Sequence, residues 1–290
     1  MIEKPGVYRI NSETYHGKGL CVQPTLSRST IKDLLFKSSA HAYWNHPDLN
    51  PNFKKDDGEG KFDIGTASHA LLLEGPDSIA VIEADDWRTK AAKEEREDAR
   101  KDGKTPLLRH QFEQALVMVD SAMTQIRACK ELGIIYLSAD GDSELSYVWT
   151  EDKTWLRVRP DWISKDRKLM IDYKTTGASA NPSDYVKIAL STGVDIQSSL
   201  YPRGVKAIEG IEPKFILVVQ EAYEPFLCSF ISFTPQFLEM GKQKVDYGIF
   251  QWNQCMETNV WPGYPNRICW IEPPAWALTA WESIGEKIGI

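Results

Sequence analysis

The order of elements predicts an α/β domain: a mixed central β-sheet flanked by helices. Helical hydrophobic periodicity dominates the chain up to about residue 130. Runs rich in Val, Trp and Tyr with strand-like alternation follow from 143 to 176. Two helices then separate these from a last pair of strands and a long C-terminal helix. With 290 residues, 42% of them hydrophobic, the chain can build a core without disulfide or metal staples. No internal repeat or linker interrupts it. We therefore read one domain over 1–290: a mainly helical N-terminal region (1–130) with a charged excursion at 85–104, a core at 140–235, and a C-terminal helix with a wrapping tail at 236–290.

The elements follow in order. In LSRSTIKDLLF (26–36), Ser27 or Ser29 caps a helix on which Ile31, Leu34 and Leu35 share a face. NHPDLNPNFKKDDGEG (45–60) is polar and rich in Pro and Gly, a loop composition. FDIGTASHALLLEG (62–75) predicts a short buried helix from near Gly65, closed by Gly75. From Asp85 to Lys104 both charge signs mix densely, as on a solvated helix or a surface excursion. Phe112, Leu116, Val119 and Met123 give 111–129 a helical period. SELSYVWT (143–150) and TWLRVRPDWIS (154–164) alternate as strands, joined by a three-residue turn, and KLMIDYKTT (168–176) is the third strand. Helices are expected over 183–190 and 195–208, antiparallel strands over 214–222 and 226–234, and a long helix over 236–258. The Pro- and Trp-rich tail from Trp261 is expected to wrap back as packed aromatic ballast.

Composition bounds the setting. The net charge of −7 does not itself suggest a nucleic-acid binder, yet a basic groove can sit on an acidic body, so the average bounds solubility and not the site. Mean hydropathy is −0.38, and no apolar stretch reaches the roughly 18 residues that a transmembrane helix needs. The start, MIEKPGVYRI, has no basic region followed by an apolar one, which argues against a signal peptide. Cys21, Cys129, Cys228, Cys255 and Cys269 are widely spaced and odd in number, which fits free thiols in a reducing cytoplasm.

The chemistry concentrates in two segments. Asp161 ends one strand in Arg159-Pro160-Asp161, and Asp172 lies eleven residues later in Asp172-Tyr173-Lys174 of the next. Asp172 and Lys174 are two apart, so on a strand they share a face. Adjacent strands can then bring two carboxylates and an ammonium together, a trio suited to phosphodiester hydrolysis. Hard oxygen ligands hold Mg²⁺, and the ion acidifies water and offsets phosphate charge. The lysine stabilises developing negative charge. A surface Asp–Lys pair would be worth little and is the plain alternative. Glu144 adds a carboxylate at the start of the preceding strand. His69 sits on the apolar helix, where a packed core histidine is the ordinary reading. Gln197 and Tyr201, four apart, share a helix face.

Taken in order, GTASH, SELSYVW, RPDW, DYKTT and QSSLY resemble the PD-(D/E)XK nuclease superfamily in its RecB-like branch. The closer resemblance is to the RecE (exodeoxyribonuclease VIII) C-terminal nuclease family of phages and prophages. It extends to YHGKG, LSRSTIKDLLFKSSAHAYW and WPGYPNRICWIEPPAW, so it spans almost the whole chain. It implies a restriction-endonuclease-like core. It also implies His69, Asp161, Asp172 and the Tyr173 main-chain carbonyl as metal ligands, and Lys174 as the catalytic lysine. Glu144 would be a ligand or a neighbour of the metals, with Gln197 and Tyr201 on a helix touching DNA. The implied cofactor is Mg²⁺ or Mn²⁺, one or two ions, and with no tight cysteine triplet no iron–sulfur cluster is expected. The implied activity is degradation of linear double-stranded DNA from 5′ ends, leaving 3′ single strands for an annealing recombinase. The implied assembly is a ring-shaped homo-oligomer in the bacterial cytoplasm, off the membrane. Arg157, Arg159, Lys187, Arg203 and Lys206 are the candidate phosphate contacts, with ordinary surface charge as the alternative. A RecB-like nuclease of other polarity or single-strand preference, a non-catalytic DNA-binding recombination module, and a metal hydrolase acting elsewhere remain the competing readings.

Overall fold

The computed structural model describes residues 1–54 and 64–288. The elements in chain order are β1 (Gly6–Tyr8), α1 (Ser12–His16), β2 (Thr25–Leu26), α2 (Arg28–Phe36), α3 (Ser39–Trp44), α4 (Ile64–Glu74), β3 (Ile79–Ile82), α5 (Lys90–Lys101), β4 (Thr105–Leu108), α6 (Arg109–Ala128), α7 (Leu137–Asp140), β5 (Gly141–Ser143), β6 (Ser146–Glu151), β7 (Thr154–Val158), β8 (Trp162–Ser164), β9 (Leu169–Thr176), α8 (Pro182–Thr192), α9 (Val194–Glu209), β10 (Lys214–Glu221), β11 (Cys228–Ile231), α10 (Pro235–Thr258) and α11 (Ala275–Ile288). The expected loop at 45–60 is seen as turns up to residue 54, and its remainder lies outside the described residues.

The mixed α/β architecture agrees with the sequence, but the strands form more than one sheet. A five-stranded sheet runs β11-β10-β9-β8-β5, a four-stranded sheet runs β1-β6-β7-β2, and β3 and β4 form a small parallel pair. The two strands expected at 143–150 and 154–164 each divide between the larger sheets. Pro160 has no N–H for a ladder bond, so pairing stops between β7 and β8. Opposite it, Glu144 takes a left-handed backbone, φ 57°, between β5 and β6. The hairpin therefore bends where Glu144 N–H donates to the Asp161 carbonyl, at 3.1 Å.

At the centre β9 and β10 pair in parallel from Leu169–Lys214 to Thr176–Glu221. Parallel neighbours need a crossover, supplied by α8 and α9. The alternation along β9 sorts its side chains onto two cores. Met170 belongs to the core with Trp149, Leu200 and Leu217. Ile171 and Tyr173 belong to the opposite one, with Trp162, Val218 and Ile126. Asp172 and Lys174 share the parity of Met170, which turns them towards α9.

Close helix packing holds α9 in place. Gly241 of α10 lies so near that a Cβ there would collide with the Asp195 carbonyl oxygen, and that atom belongs to a helix backbone and cannot step aside. The buried Asp195 also pairs with Lys244 of α10. Gly241→Ala gains about 1 kcal/mol of helix propensity but loses more by overpacking, about 2 kcal/mol net. A fall in Tm of about 5 °C is expected by calorimetry, and an unchanged Tm would mean that the helices separate freely.

Two further segments differ from expectation. The charged excursion is indeed an exposed helix, α5, but it joins β3 to β4 as a small parallel crossover. Short apolar runs such as IAVI carry no period that separates strand from helix. The tail docks only near its start. Trp261 packs edge-on against the buried Trp252, ring centroids 5.5 Å apart, and Tyr264 lies 5.5 Å from His41. Beyond these, Trp270, Trp276 and Trp281 stand exposed, so they are not ballast.

Candidate active site

Asp161 is set by the same break that divides the hairpin. Its strand, β8, pairs with β9 only at Trp162–Ile171 and Ile163–Met170. Beyond that ladder the Tyr173 N–H has no strand partner on this side, and it donates to Asp161 Oδ2 at 2.7 Å. The carboxylate thus lies alongside β9, capping the ladder. From α4, His69 Nε2 reaches the same Oδ2 at 3.2 Å and Glu144 Oε1 at 3.9 Å. Among the described residues one group of His, Cys, Asp and Glu side chains is placed to hold a metal ion: ligand atoms of His69, Glu144 and Asp161 lie within 4.8 Å of one another. One imidazole and two carboxylates form a hard, mainly oxygen donor set, which fits Mg²⁺ or Mn²⁺ rather than a thiolate-seeking metal.

Asp172 has no exposed surface. Lys174 Nζ lies 2.6 Å from its Oδ2, and Gln197 Nε2 donates to its Oδ1 at 2.5 Å. Lys174 also reaches Asp161 Oδ2 at 4.0 Å, so one ammonium bridges the two aspartates. Tyr173, facing the other way, donates its phenol to Gln220 Oε1 at 2.5 Å. A cleft of about 300 Å³ opens on this group, lined by Gly65, Thr66, His69, Tyr173, Lys174 and Thr175.

The electrostatics follow from crowding of acids in a buried place. Burial and the Asp161 charge push Asp172 up to about 6, against the pull of Lys174. Burial alone would raise Asp161 too, but Lys174, His69 and the Tyr173 N–H together hold it below the usual carboxylate range. Burial lifts Glu144 to about 7 in spite of Arg159. Burial disfavours charge on His69 and Lys174 as well, yet the surrounding carboxylates raise both above their ordinary values. A site this rich in buried negative charge is arranged to receive a cation.

Other predicted contacts face inward. Gln197 is buried against Asp172, and Tyr201, packed on the first core, has its hydroxyl raised well above 10 by burial and by neighbouring Tyr15. Arg157 is buried, its guanidinium 4.9 Å from the Tyr15 ring and bonded to the Tyr15 carbonyl at 2.5 Å. Arg159 pairs with Glu144 Oε2 at 2.5 Å and lies 5.7 Å from the same ring. Arg203 is clamped between Glu151 and Asp246, and Lys206 pairs with Glu212 at 2.6 Å. These four cations are therefore already committed to protein partners. Lys187 on α8 is exposed and makes no ion pair among the described residues. Sequence reasoning missed Tyr15, whose ring supports both arginines, and Arg28, whose guanidinium bonds the Thr192 and Gly193 carbonyls near Asp172. Both lie in segments that carry the family resemblance, YHGKG and LSRSTIKDLLF, but no charge pattern or spacing there marks a contact with the distant acidic strands.

No curated protein matches the chain. Among solved structures, a candidate exonuclease from Eubacterium rectale superposes with a TM-score of 0.60 at 15% identity, over 94% of this chain and 99% of that one. An alkaline exonuclease from Laribacter hongkongensis gives a TM-score of 0.28 at 12% identity, over 67% of this chain and 95% of that one. The first likeness is one of fold. Residues 25–272, which hold every strand of the five-stranded sheet and all the side chains of the acidic cluster, match a family model, and the chain belongs to that family, the PDDEXK-like domain of unknown function (DUF3799).

Proposed function

We propose that the protein is a divalent-metal-dependent DNA exonuclease that hydrolyses linear duplex DNA in the 5′→3′ direction and leaves 3′ single-stranded ends. The observation that carries the reading is the convergence of His69, Glu144 and Asp161 beside the Asp172–Lys174 pair at the mouth of a cleft. A bound Mg²⁺ or Mn²⁺, one ion or two, would supply an acidified water and offset charge on the phosphate. The chain's own groups do the rest. Asp161, His69 and Glu144 hold the cation site, with Asp172 and the Tyr173 carbonyl completing it. Lys174 directs its ammonium at the oxygen that gains charge. Gln197 and Arg159 act from behind, orienting Asp172 and Glu144. Lys187, exposed and without an ion pair among the described residues, serves as a phosphate contact. A set of partners follows from the same resemblance: duplex ends as substrate, an annealing recombinase of phage-type recombination downstream, and a ring-shaped homo-oligomer in a bacterial cytoplasm. No helix among the described residues is long and apolar enough to cross a membrane.

The test uses linear duplex labelled separately at 5′ and 3′ ends, with covalently closed circles alongside, in Mg²⁺ and in EDTA. Early release of 5′ label, intact circles and silence in EDTA are expected. Cut circles or early loss of 3′ label would move the protein to another nuclease class. Tight binding without cleavage in either metal would favour a binding module.

A further inference from the structure

Tyr15 of α1 stands on the outer face of the four-stranded sheet. It is 6% exposed and packs with Ile2, Leu20, Cys21 and Val148. Val148 of β6 lies directly opposite Arg157 of β7, so both side chains leave the sheet on the Tyr15 side. Arg159, two residues on, keeps that parity past the end of β7. One ring therefore meets two guanidinium groups, at 4.9 Å for Arg157 and 5.7 Å for Arg159, both within cation–π range. The cluster that holds the ring contains none of the acids of the active site.

The two cations are provided for differently. Arg157 is 4% exposed, its Nε has no hydrogen-bond partner, and it makes no ion pair among the described residues. It bonds the Tyr15 carbonyl at 2.5 Å. Ring and carbonyl of one residue thus compensate a buried charge that has no carboxylate. Arg159 does have one, Glu144 Oε2 at 2.5 Å, and its Nε also donates to the Glu144 carbonyl at 3.2 Å. These bonds occupy one carboxylate oxygen and the backbone of the left-handed Glu144. Oε1 is left facing His69, 3.9 Å away. A guanidinium on a long flexible stem fixes its carboxylate only as firmly as its own plane is fixed, and stacking on an aromatic face fixes that plane.

We infer that Tyr15 is a positioning residue for the cation site. Its ring pins Arg159, Arg159 pins Glu144, and Glu144 is thereby held in the ligand group with His69 and Asp161. The inference rests on the proposed reading of that group as the metal site. It assigns the role to the ring, because ring and main-chain carbonyl make the contacts to the arginines.

The test is calorimetric titration of the full chain with Mn²⁺, without DNA. Groups that orient a metal ligand are worth about 10–100-fold in metal affinity. Tyr15→Leu is therefore expected to weaken binding at least tenfold, and Tyr15→Phe, which keeps the ring, to bind as the wild type does. In a Glu144→Gln background, Tyr15→Leu should weaken binding no further, since the ligand it positions is already gone. Should Tyr15→Leu fail to fold, Arg159→Lys takes its place. That change keeps a charge opposite Glu144 but loses the planar face on the ring, and the same tenfold loss is expected, again absent in the Glu144→Gln background. Equal losses in both backgrounds would show mere support of the fold and overturn the inference. So would wild-type affinity in Tyr15→Leu or Arg159→Lys, or a Tyr15→Phe variant as weak as Tyr15→Leu. A wild type that binds no Mn²⁺ would remove the metal-site reading and the inference with it, so the two failures are distinct.

Discussion

Asp161→Asn is expected to lower the rate of metal-dependent DNA cleavage by on the order of 10³-fold, about 4 kcal/mol of transition-state stabilisation. Asp161 is the point on which the site converges: His69 at 3.2 Å, Lys174 at 4.0 Å and the Tyr173 N–H at 2.7 Å all meet its Oδ2. Asparagine keeps the shape and an amide oxygen that can still accept the Tyr173 N–H, so the end of the ladder survives. It removes the negative charge that draws a cation between His69 and Glu144. Calorimetric titration with Mn²⁺ should therefore show binding lost together with activity, while the circular dichroism spectrum stays the same. Full cleavage by this variant would sink the proposed site. Loss of activity with undiminished Mn²⁺ binding would move the metal elsewhere.

Lys174→Met is expected to lower the rate by about 10²–10³-fold at neutral pH, and for a different reason. Lys174 is the cation that keeps the fully buried Asp172 ionised, and even with it burial and Asp161 lift Asp172 to about 6. Without it the same two forces push Asp172 further up, so at pH 7 the carboxyl holds a proton and is a poor metal ligand. Leaving a buried charge unpaired costs about 3–5 kcal/mol. Protonation caps that cost at about 1.4 kcal/mol for each unit by which the pH exceeds the carboxyl's ordinary value, up to its folded-state value. The sign of the pH dependence follows. A carboxyl whose folded value is raised destabilises the fold above that value, and the penalty fades as the pH falls through it. In EDTA the stability gap between Lys174→Met and the wild type should accordingly narrow between about pH 8 and about pH 5. A gap that widens on acidification would show that Asp172 stays ionised without its partner.

Much of the fold was legible because its signals are local. The short apolar runs in KLMIDYKTT and KFILVVQEA predict β9 and β10, and the capped run at 26–36 predicts α2, whose N-cap Ser27 accepts from Thr30 N–H. The parity of Asp172 and Lys174 also follows from sequence, since two residues along a strand return to the same face. The short strands β1, β2, β3 and β5 escaped, because two to four residues carry no readable period. The exposed tail escaped because a run of Trp and Pro reads as packing material unless one knows what lies beneath it.

By itself, then, the sequence determined which residue types are present and how they are phased along each element: a His on an apolar helix, an Asp after a Pro, and an Asp and a Lys on one face of a strand. Only the tertiary structure decided which of them meet. Glu144 joins His69 and Asp161 because the hairpin bends at Pro160 and at a left-handed Glu144. Gln197 turns inward to Asp172 because Gly241 lets α9 and α10 close up. Arg157, Arg159 and Arg203 are held by Tyr15, Glu144, Glu151 and Asp246 instead of facing solvent. The physical reason is that periodicity is a property of neighbours along the chain, whereas ion pairing and metal ligation join residues distant in sequence. Those contacts depend on where the backbone bends and how closely helices approach, and neither is written in any single window of residues.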